Sequence, residues 1–94
     1  MKHHIIVKWN GNVVDKAEIL EDVRKLYSNV STIPGISGCE VIPNCVARDN
    51  RYDCMIIVHL EPDALPAWDE SEIHHLWKKQ YGDMIEKKAI FDCE

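Results

Sequence analysis

The sequence has no long apolar run, no internal repeat and few residues that interrupt regular structure. Its 94 residues include only 4 glycines and 4 prolines, and no low-complexity tract or linker divides them. A chain of this length builds one small hydrophobic core, so we expect a single domain over residues 1–94. With 46% hydrophobic and 29% charged residues, the composition is typical of a globular protein and argues against long disordered segments.

Excess positive charge is also missing. The chain carries 11 Lys and Arg against 16 Asp and Glu, a formal net charge of -5. Scattered basic residues in an acidic chain argue against a nucleic-acid partner. No window holds the roughly 18 apolar residues of a membrane helix, and the apolar core of residues 1–11 is too short for a secretory signal. We therefore expect a cytoplasmic protein that has no membrane partner.

The four cysteines lack the spacing of a metal or redox site. Cys39, Cys45, Cys54 and Cys93 form no C-x-x-C pair, and if Cys39 and Cys45 share one strand they lie about 20 Å apart, too far for a disulfide. We expect reduced, partly buried thiols and no metal ion. No nucleotide or flavin fingerprint is present, so no cofactor is expected either.

Two changes of hydrophobic period divide the chain into six main elements. Residues 3–9 favour a strand, and apolar residues then recur at steps of three and four from 19 to 33, which predicts an amphipathic helix of about five turns. Residues 38–46 and 52–61 predict an antiparallel pair of strands. A short helical turn holding Trp68 is followed by a second apolar stripe over residues 73–84 and a last strand over residues 87–93.

Capping patterns mark the expected helix starts. Asp15 with Glu18 resembles a capping box, in which each side chain satisfies a backbone N–H of the first turn. Asp69 with Glu72 repeats the pattern ahead of the second helix. Asp63 is expected to cap the short turn between them.

The order strand, helix, strand, strand, helix, strand predicts an α+β, ferredoxin-like βαββαβ fold with a four-stranded antiparallel sheet. Right-handed crossovers place both helices on one face of that sheet, so the other face lacks a cover within the chain. The expected outer face is nevertheless apolar, since it holds Ile6, Ile42, Val46, Met55, Ile57, Ala89 and Phe91. Burying this set is worth on the order of 10 kcal/mol, so we expect a homodimer that pairs two sheets.

Several segments together resemble one protein family. They are "MKHHIIVKW", "IPGISGCEV", "YDCMIIVHLE", "SEIHHLW" and "AIFDCE". In this order and spacing the chain resembles, over nearly its whole length, the stress-responsive A/B-barrel (Dabb) family. The resemblance implies a dimeric α+β barrel with a ligand cavity in each subunit between sheet and helices. It does not imply one function, because most members have no known activity and a plant branch acts as cofactor-free polyketide cyclases.

The resemblance also nominates site residues. The family has H-P-x-H at the start of the second helix, and here Ser71-Glu72-Ile73-His74 keeps only the second histidine. In the cyclase branch this histidine is the proposed base, assisted by a tyrosine six residues earlier. Trp68 stands at that position, and its indole N–H donates a hydrogen bond but has no usable acidic proton. The branch also has a histidine early in strand one that faces the cavity, and His3 matches it.

The residues themselves leave two interpretations of this site. His74 falls at the edge of the apolar stripe, where Glu70 is in reach of its ring, and its chemistry suits proton transfer near neutral pH. A border histidine that merely reaches water is the alternative. The expected catalytic residue is His74, and the expected ligand-binding residues are His3, Ile5, Val7, Tyr27, Trp68, Trp77 and Tyr81. The aromatic members of this set are equally compatible with an ordinary core.

Two classes of function are compatible with these residues. The first is a homodimeric, stress-associated protein that binds a small apolar or aromatic molecule without turnover, and the half-present motif favours it. The second is a cofactor-free enzyme in which His74 removes a proton α to a carbonyl, or assists a cyclisation, in a dry pocket. A cofactor-independent monooxygenase of the same architecture is a third interpretation.

Overall fold

The structure, a computed structural model, describes residues 1–94. Its strands are β1 (Lys2–Trp9), β2 (Ile36–Pro43), β3 (Cys54–Leu60) and β4 (Ile85–Cys93). They form one sheet in the order β2-β3-β1-β4, and every neighbouring pair is antiparallel. The predicted ferredoxin-like βαββαβ fold is confirmed.

The helices are α1 (Lys16–Tyr27), α2 (Leu65–Asp69) and α3 (Glu72–Tyr81), and they cover one face of the sheet. Burial alternates along the central strands: in β1, His3 and Ile5 lie under the helices, whereas His4 and Ile6 face the other way and stay partly exposed. This period of two is typical of a strand with one covered face.

No helix has both the length and the apolar character needed to cross a membrane.

Helix α1 starts as predicted but ends earlier. The Asp15 carboxylate accepts a hydrogen bond of 3.0 Å from the Glu18 backbone N–H. The helix stops at Tyr27 after 12 residues, and the prediction of about five turns was wrong. The sequence that follows is rich in Ser, Asn, Thr and β-branched residues, which compete with or crowd a helix. A 3-10 turn at Val30–Thr32 instead carries Val30 into the core.

Helix α3 is capped by a residue other than the one predicted. The Ser71 hydroxyl accepts a hydrogen bond of 3.1 Å from the His74 backbone N–H, which makes Ser71 the N-cap. Asp69 is the last residue of α2, so the Asp69 capping box was wrong. Asp63 caps nothing: it lies inside the 3-10 turn Pro62–Ala64, whose N-cap makes no side-chain hydrogen bond.

Strand boundaries differ from the predictions by a few residues, with one consequence for the outer face. Because β2 ends at Pro43, Val46 lies in the following loop and helps line a cleft beside Trp9 and Leu20 on the helix side. The prediction that Val46 lies on the outer face of the sheet was wrong. Cys45 also lies beyond β2, and all four cysteines are free thiols.

The outer face of the sheet is otherwise as apolar as expected. Ile42, Met55, Ile6 and Ala89 lie side by side in one row across all four strands. Ile42 and Phe91 keep 41% and 59% of their surfaces exposed. A shallow cleft of about 220 Å³ on this face is lined mainly by apolar side chains. The single chain therefore exposes an apolar row across the sheet, next to polar side chains such as the paired His59 and Glu40.

Candidate functional site

His3 is the one buried polar or charged residue of the protein. It lies on the inner face of β1, is only 7% exposed, and sits directly opposite Asp92 of β4 in the strand register. Its Nδ1 atom lies 2.5 Å from Oδ1 of Asp92. The imidazole also meets the ring of Trp68 edge-on at 6.5 Å between centroids. A titratable pair thus borders the aromatic core.

Trp68 joins the sheet to both long helices. The short helix α2 places it in the core with none of its surface exposed. Its ring centroid lies 5.7 Å from that of Tyr27, at the end of α1, and 5.1 Å from that of His74, in the first turn of α3. His3, Tyr27, Trp68 and His74 therefore form one cluster, which we call the His-Trp cluster.

Two polar atoms of the His-Trp cluster lack a partner. The hydroxyl of Tyr27 and the Nε1 atom of Trp68 are buried and make no hydrogen bond within the chain. Such a group costs about 1 to 3 kcal/mol, and native proteins contain few of them. Burial raises the pKa of the Tyr27 hydroxyl, so it stays protonated. The cluster therefore holds two N–H or O–H donors that the protein itself leaves unused.

His74 is oriented by the backbone. Its Nδ1 atom lies 2.9 Å from the carbonyl oxygen of Asp69, so the neutral ring donates its Nδ1–H there and keeps Nε2 as an acceptor. Glu70, expected from the sequence as the partner, does not have this role. Burial lowers the pKa of His74, and Lys78 and Lys88 lower it further against the opposing effect of Asp69. The ring is therefore in its basic, neutral form at pH 7.

The remaining residues of the predicted ligand set lie in the same core. Ile5, Val7, Trp77 and Tyr81 are all buried. The ring centroid of Trp77 lies 5.2 Å from that of Tyr81, with the rings tilted, and 5.6 Å from that of Tyr27. The fold thus brings the whole predicted set together, with His3, Trp68 and His74 at one end and Trp77 and Tyr81 towards the other. Their role in ligand binding remains a prediction.

Surface clefts lie beside this core, and the core residues Trp9 and Cys54 line one of them. Besides the shallow cleft on the outer face, one groove of about 410 Å³ runs between the end of α1 and the start of α3. Another cleft, of about 480 Å³, lies beside the loop after β2. None of the predicted ligand-binding residues lines these three clefts. The His-Trp cluster is close-packed.

Asp92 was not predicted from the sequence. It lies 89 residues from His3, so no local spacing connects the two. The available signal was the alternation of β4, which puts Asp92 on the face opposite Ala89 and Phe91.

The structure contains no group of three or more His, Cys, Asp or Glu side chains placed to hold a metal ion.

Comparisons by sequence and by structure gave different outcomes. No protein-family model matches the sequence, and no curated protein is a significant match. Solved structures, in contrast, match almost the whole chain. A dimeric protein of unknown function with a ferredoxin-like fold from Bacteroides fragilis NCTC 9343 has a TM-score of 0.82 at 18% identity, covering 99% of this chain and 93% of that one.

Two further structures carry family descriptions. A Dabb family protein with a ferredoxin-like fold from Mesorhizobium loti has a TM-score of 0.73 at 13% identity, over 99% of this chain and 93% of that one. A candidate antibiotic biosynthesis monooxygenase from Nitrosomonas europaea has a TM-score of 0.69 at 13% identity, over 99% and 98% of the two chains. At these identities the likeness is one of fold, and at that level the resemblance to the Dabb family is confirmed.

Proposed function

We propose that this chain forms a homodimer of the stress-responsive A/B-barrel type and binds a small apolar or aromatic molecule between its sheet and its helices. The observation that carries the ligand proposal is the pair of unpartnered polar atoms in the His-Trp cluster, the Tyr27 hydroxyl and the Trp68 indole N–H. The aromatic rings around them suit a flat, apolar ligand. The two donors suit a ligand that also carries an acceptor, such as a carbonyl oxygen.

The dimer proposal is supported by the outer face of the sheet. Its apolar row and the exposed Phe91 form a surface that, fully buried, stabilises an assembly by about 1.5 to 3 kcal/mol per large side chain. A two-fold axis would set the same face of a second copy against it. The structural neighbour from Bacteroides fragilis, which is dimeric, adds support from a protein with the same fold.

Ligand entry requires a movement, because the His-Trp cluster is close-packed. Trp68 is the side chain best placed to move. It sits on a five-residue helix, between a 3-10 turn and the Ser71 cap, rather than on a long helix. We expect displacement of the Trp68 indole to open the space in which a ligand meets both donors.

A proton-transfer enzyme is a second candidate, favoured by the state of His74. Its neutral ring, with Nδ1 bound to the Asp69 carbonyl, presents Nε2 as a base next to Trp68. A carbonyl oxygen held by the two unpartnered donors would acquire negative charge as a neighbouring C–H loses its proton, and the same donors would stabilise that charge. The binding proposal does not depend on this step.

The dimer is tested by light scattering coupled to size exclusion at micromolar concentration. The wild type should elute with twice the 10.9 kDa mass of one chain. Ile57→Lys places a charge in the apolar face and should yield a folded monomer, because burying an unpaired ammonium is costly. Val14→Lys, at a residue that is 94% exposed, is the matched control and should stay dimeric. A wild-type chain that is monomeric and folded would remove the dimer from the proposal.

Ligand binding is tested with benzaldehyde, which offers one carbonyl acceptor on an apolar ring, and with toluene, which has the ring alone. Binding is followed by tryptophan fluorescence and calorimetry. We expect benzaldehyde to bind more tightly than toluene to the wild type and no better than toluene to the double variant Tyr27→Phe, Trp68→Phe. Equal affinities for both probes in the wild type would contradict a role of the two donors.

For the enzyme candidate, the variant His74→Ala should keep its affinity for a carbonyl substrate and lose the turnover of that substrate.

A further inference from the structure

We propose that His4 makes the homodimer sensitive to acid, because a protonated His4 has no carboxylate partner on the sheet face that a second copy covers. This inference rests on the dimer of the proposed function and adds a means of regulating it. The dimer forms while His4 is neutral and weakens when His4 takes up a proton. Histidine is the side chain that ordinarily changes charge between about pH 5 and pH 8, so a small fall in pH is enough.

His4 lies in the middle of the outer face. It belongs to β1, an inner strand of the sheet, and stands directly between Ile57 of β3 and Phe91 of β4. Its ring meets the Phe91 ring edge-on at 5.9 Å between centroids. Both neighbours belong to the apolar set whose burial supports the dimer. A second copy that covers Ile57 and Phe91 therefore also covers His4.

The hydrogen bond of His4 suits a neutral ring. Its Nδ1 atom lies 3.0 Å from the carbonyl oxygen of Phe91, and because a carbonyl only accepts, Nδ1 carries the proton. A second proton can then bind only at Nε2, where it gives the ring a positive charge. The apolar face of a second copy would take that charge out of water, which is costly unless a carboxylate pairs with it.

The outer face offers His4 no free carboxylate. A cation precedes it on β1, a histidine lies diagonally across on β3, and a thiol lies diagonally across on β4. These three groups are Lys2, His59 and Cys93. On β2, two strands away, the carboxylate of Glu40 already contacts His59, with 2.8 Å between Oε2 and Nε2. Protonation of His4 therefore adds an uncompensated charge on the side of the face that already carries Lys2.

Two further carboxylates lie at the end of the sheet, beyond the reach of His4. Glu61 follows β3, and Glu94 follows β4. Together with Lys2 and His59 they line a small cleft at this end, and His4 is not part of its lining. These carboxylates are therefore placed to offset the charges of Lys2 and His59 and not that of His4.

His59 shows how a compensated histidine on the same face should behave. Its contact with Glu40 becomes an ion pair when His59 is protonated, so this part of the face gains no unpaired charge. The dimer should tolerate a proton on His59 far better than a proton on His4. The two histidines of one surface thus have opposite expected effects in mutagenesis, which makes the assignment to His4 testable.

The dissociation constant of the dimer is measured by analytical ultracentrifugation at about pH 7.5 and about pH 5.5. Circular dichroism checks that the chain is folded at both values. Excluding one proton from each of the two His4 rings should weaken the wild-type dimer by about 10- to 100-fold over this interval. His4→Gln cannot titrate and should keep nearly the same dissociation constant. His75→Gln, at an exposed histidine of α3, is the matched control and should behave like the wild type.

Glu40→Gln tests the role of compensation. It removes the carboxylate that pairs with His59, so two uncompensated charges per chain should then oppose the dimer at low pH. We expect the pH dependence to become steeper than in the wild type. The double variant Glu40→Gln, His59→Gln should return it to the wild-type value. A Glu40→Gln dimer with the pH dependence of the wild type would contradict the compensation of His59.

The outcomes separate this inference from the dimer itself. A wild-type dimer that is unchanged or tighter at the lower pH overturns the inference, and so does an equal weakening in His4→Gln. A wild type that is folded and monomeric at the higher pH instead overturns the proposed dimer. If His4→Gln does not dimerise, the wild type decides by nuclear magnetic resonance. The midpoint of His4 protonation should fall as the protein concentration rises, and a midpoint independent of concentration overturns the inference.

Discussion

Tyr27 and Trp68 meet in the core with their ring centroids 5.7 Å apart, and each brings a polar atom that finds no partner in the chain. The two rings come from different elements, the last residue of α1 and the short helix α2. Phenylalanine would fill the place of Tyr27 without an unpaired polar atom. Two unpaired polar groups lower the stability of the core. We therefore connect their presence with the proposed ligand, which would supply their hydrogen-bond partner.

Tyr27→Phe should separate stability from binding. Removing an unpartnered hydroxyl abolishes its desolvation cost, so we expect the free energy of unfolding to stay equal or to rise by about 1 kcal/mol. Affinity for a carbonyl probe should fall in the same variant. Urea unfolding and probe titration measure the two effects. A loss of more than about 1 kcal/mol of stability would mean that the hydroxyl has a partner in solution. Tyr81→Phe, at a buried tyrosine outside the unpartnered pair, is the control for loss of a hydroxyl.

The titration of His74 should make stability depend on pH. Because burial lowers its pKa below the ordinary 6.5, the unfolded chain binds more protons than the folded chain as the pH falls through that value. The contribution of His74 to stability is therefore complete above about pH 6.5 and is lost as the pH falls below it. Urea unfolding at about pH 7.5 and about pH 5.5 measures this loss.

The variant His74→Gln tests whether His74 causes this pH dependence of stability. It should lose less stability than the wild type between the two pH values, since glutamine does not titrate. His75→Gln, at an exposed neighbour on the same helix, should behave like the wild type. If His74→Gln and the wild type show the same pH dependence, the pKa of His74 is not lowered in the folded chain.

Much of the fold was predictable because the informative signals are local. β3 carries apolar residues on both of its faces, which indicates a cover on each side, and the helical stripes account for one of these covers. The cap of α3 was not predictable in this way, since Asp69 and Ser71 are both good N-cap residues. The choice depends on where α2 ends, which tertiary packing decides.

The site was predictable only in part, for a related reason. His3, Trp68 and His74 could be nominated from the family pattern, and the structure brings them together. The pairing of His3 with Asp92 depends on the register between the first and last strands. The missing partners of Tyr27 and Trp68 depend on the whole three-dimensional surroundings, which no spacing of residues encodes.

The Ser71 cap gives a third prediction. Ser71→Ala removes the hydroxyl that accepts the His74 N–H and should cost about 1 kcal/mol of stability. Asp69→Ala should change stability by less than about 0.5 kcal/mol, because Asp69 contributes its backbone carbonyl rather than its side chain to this region. Urea unfolding of both variants measures the difference. A larger loss for Asp69→Ala than for Ser71→Ala would restore Asp69 as the cap.

Gly35 gives a fourth prediction, at the turn into β2. Its φ of 85° lies in the left-handed region, and an added Cβ would sit 2.6 Å from Cβ of Ala64. Strain and overlap together should make Gly35→Ala less stable by about 2 kcal/mol or more. Gly82→Ala is the matched control: Gly82 has helical angles and open space around it, so alanine should be neutral or mildly stabilising. Equal stabilities for the two variants would contradict the described turn.

The free thiols should differ sharply in reactivity. Burial, followed by the negative charge of Asp53, raises the pKa of the buried Cys54 to about 12, so almost none of it is thiolate near neutral pH. Cys45 is exposed in the loop after β2. With a colorimetric disulfide reagent, we expect a fast phase that disappears in Cys45→Ser, whereas Cys54 should react only after the chain unfolds. The control is Cys54→Ala, which should keep the fast phase in any variant that remains folded. A fast phase that survives Cys45→Ser and is lost in Cys54→Ala would show that β3 opens readily, and the core described for this protein would then be wrong at its centre.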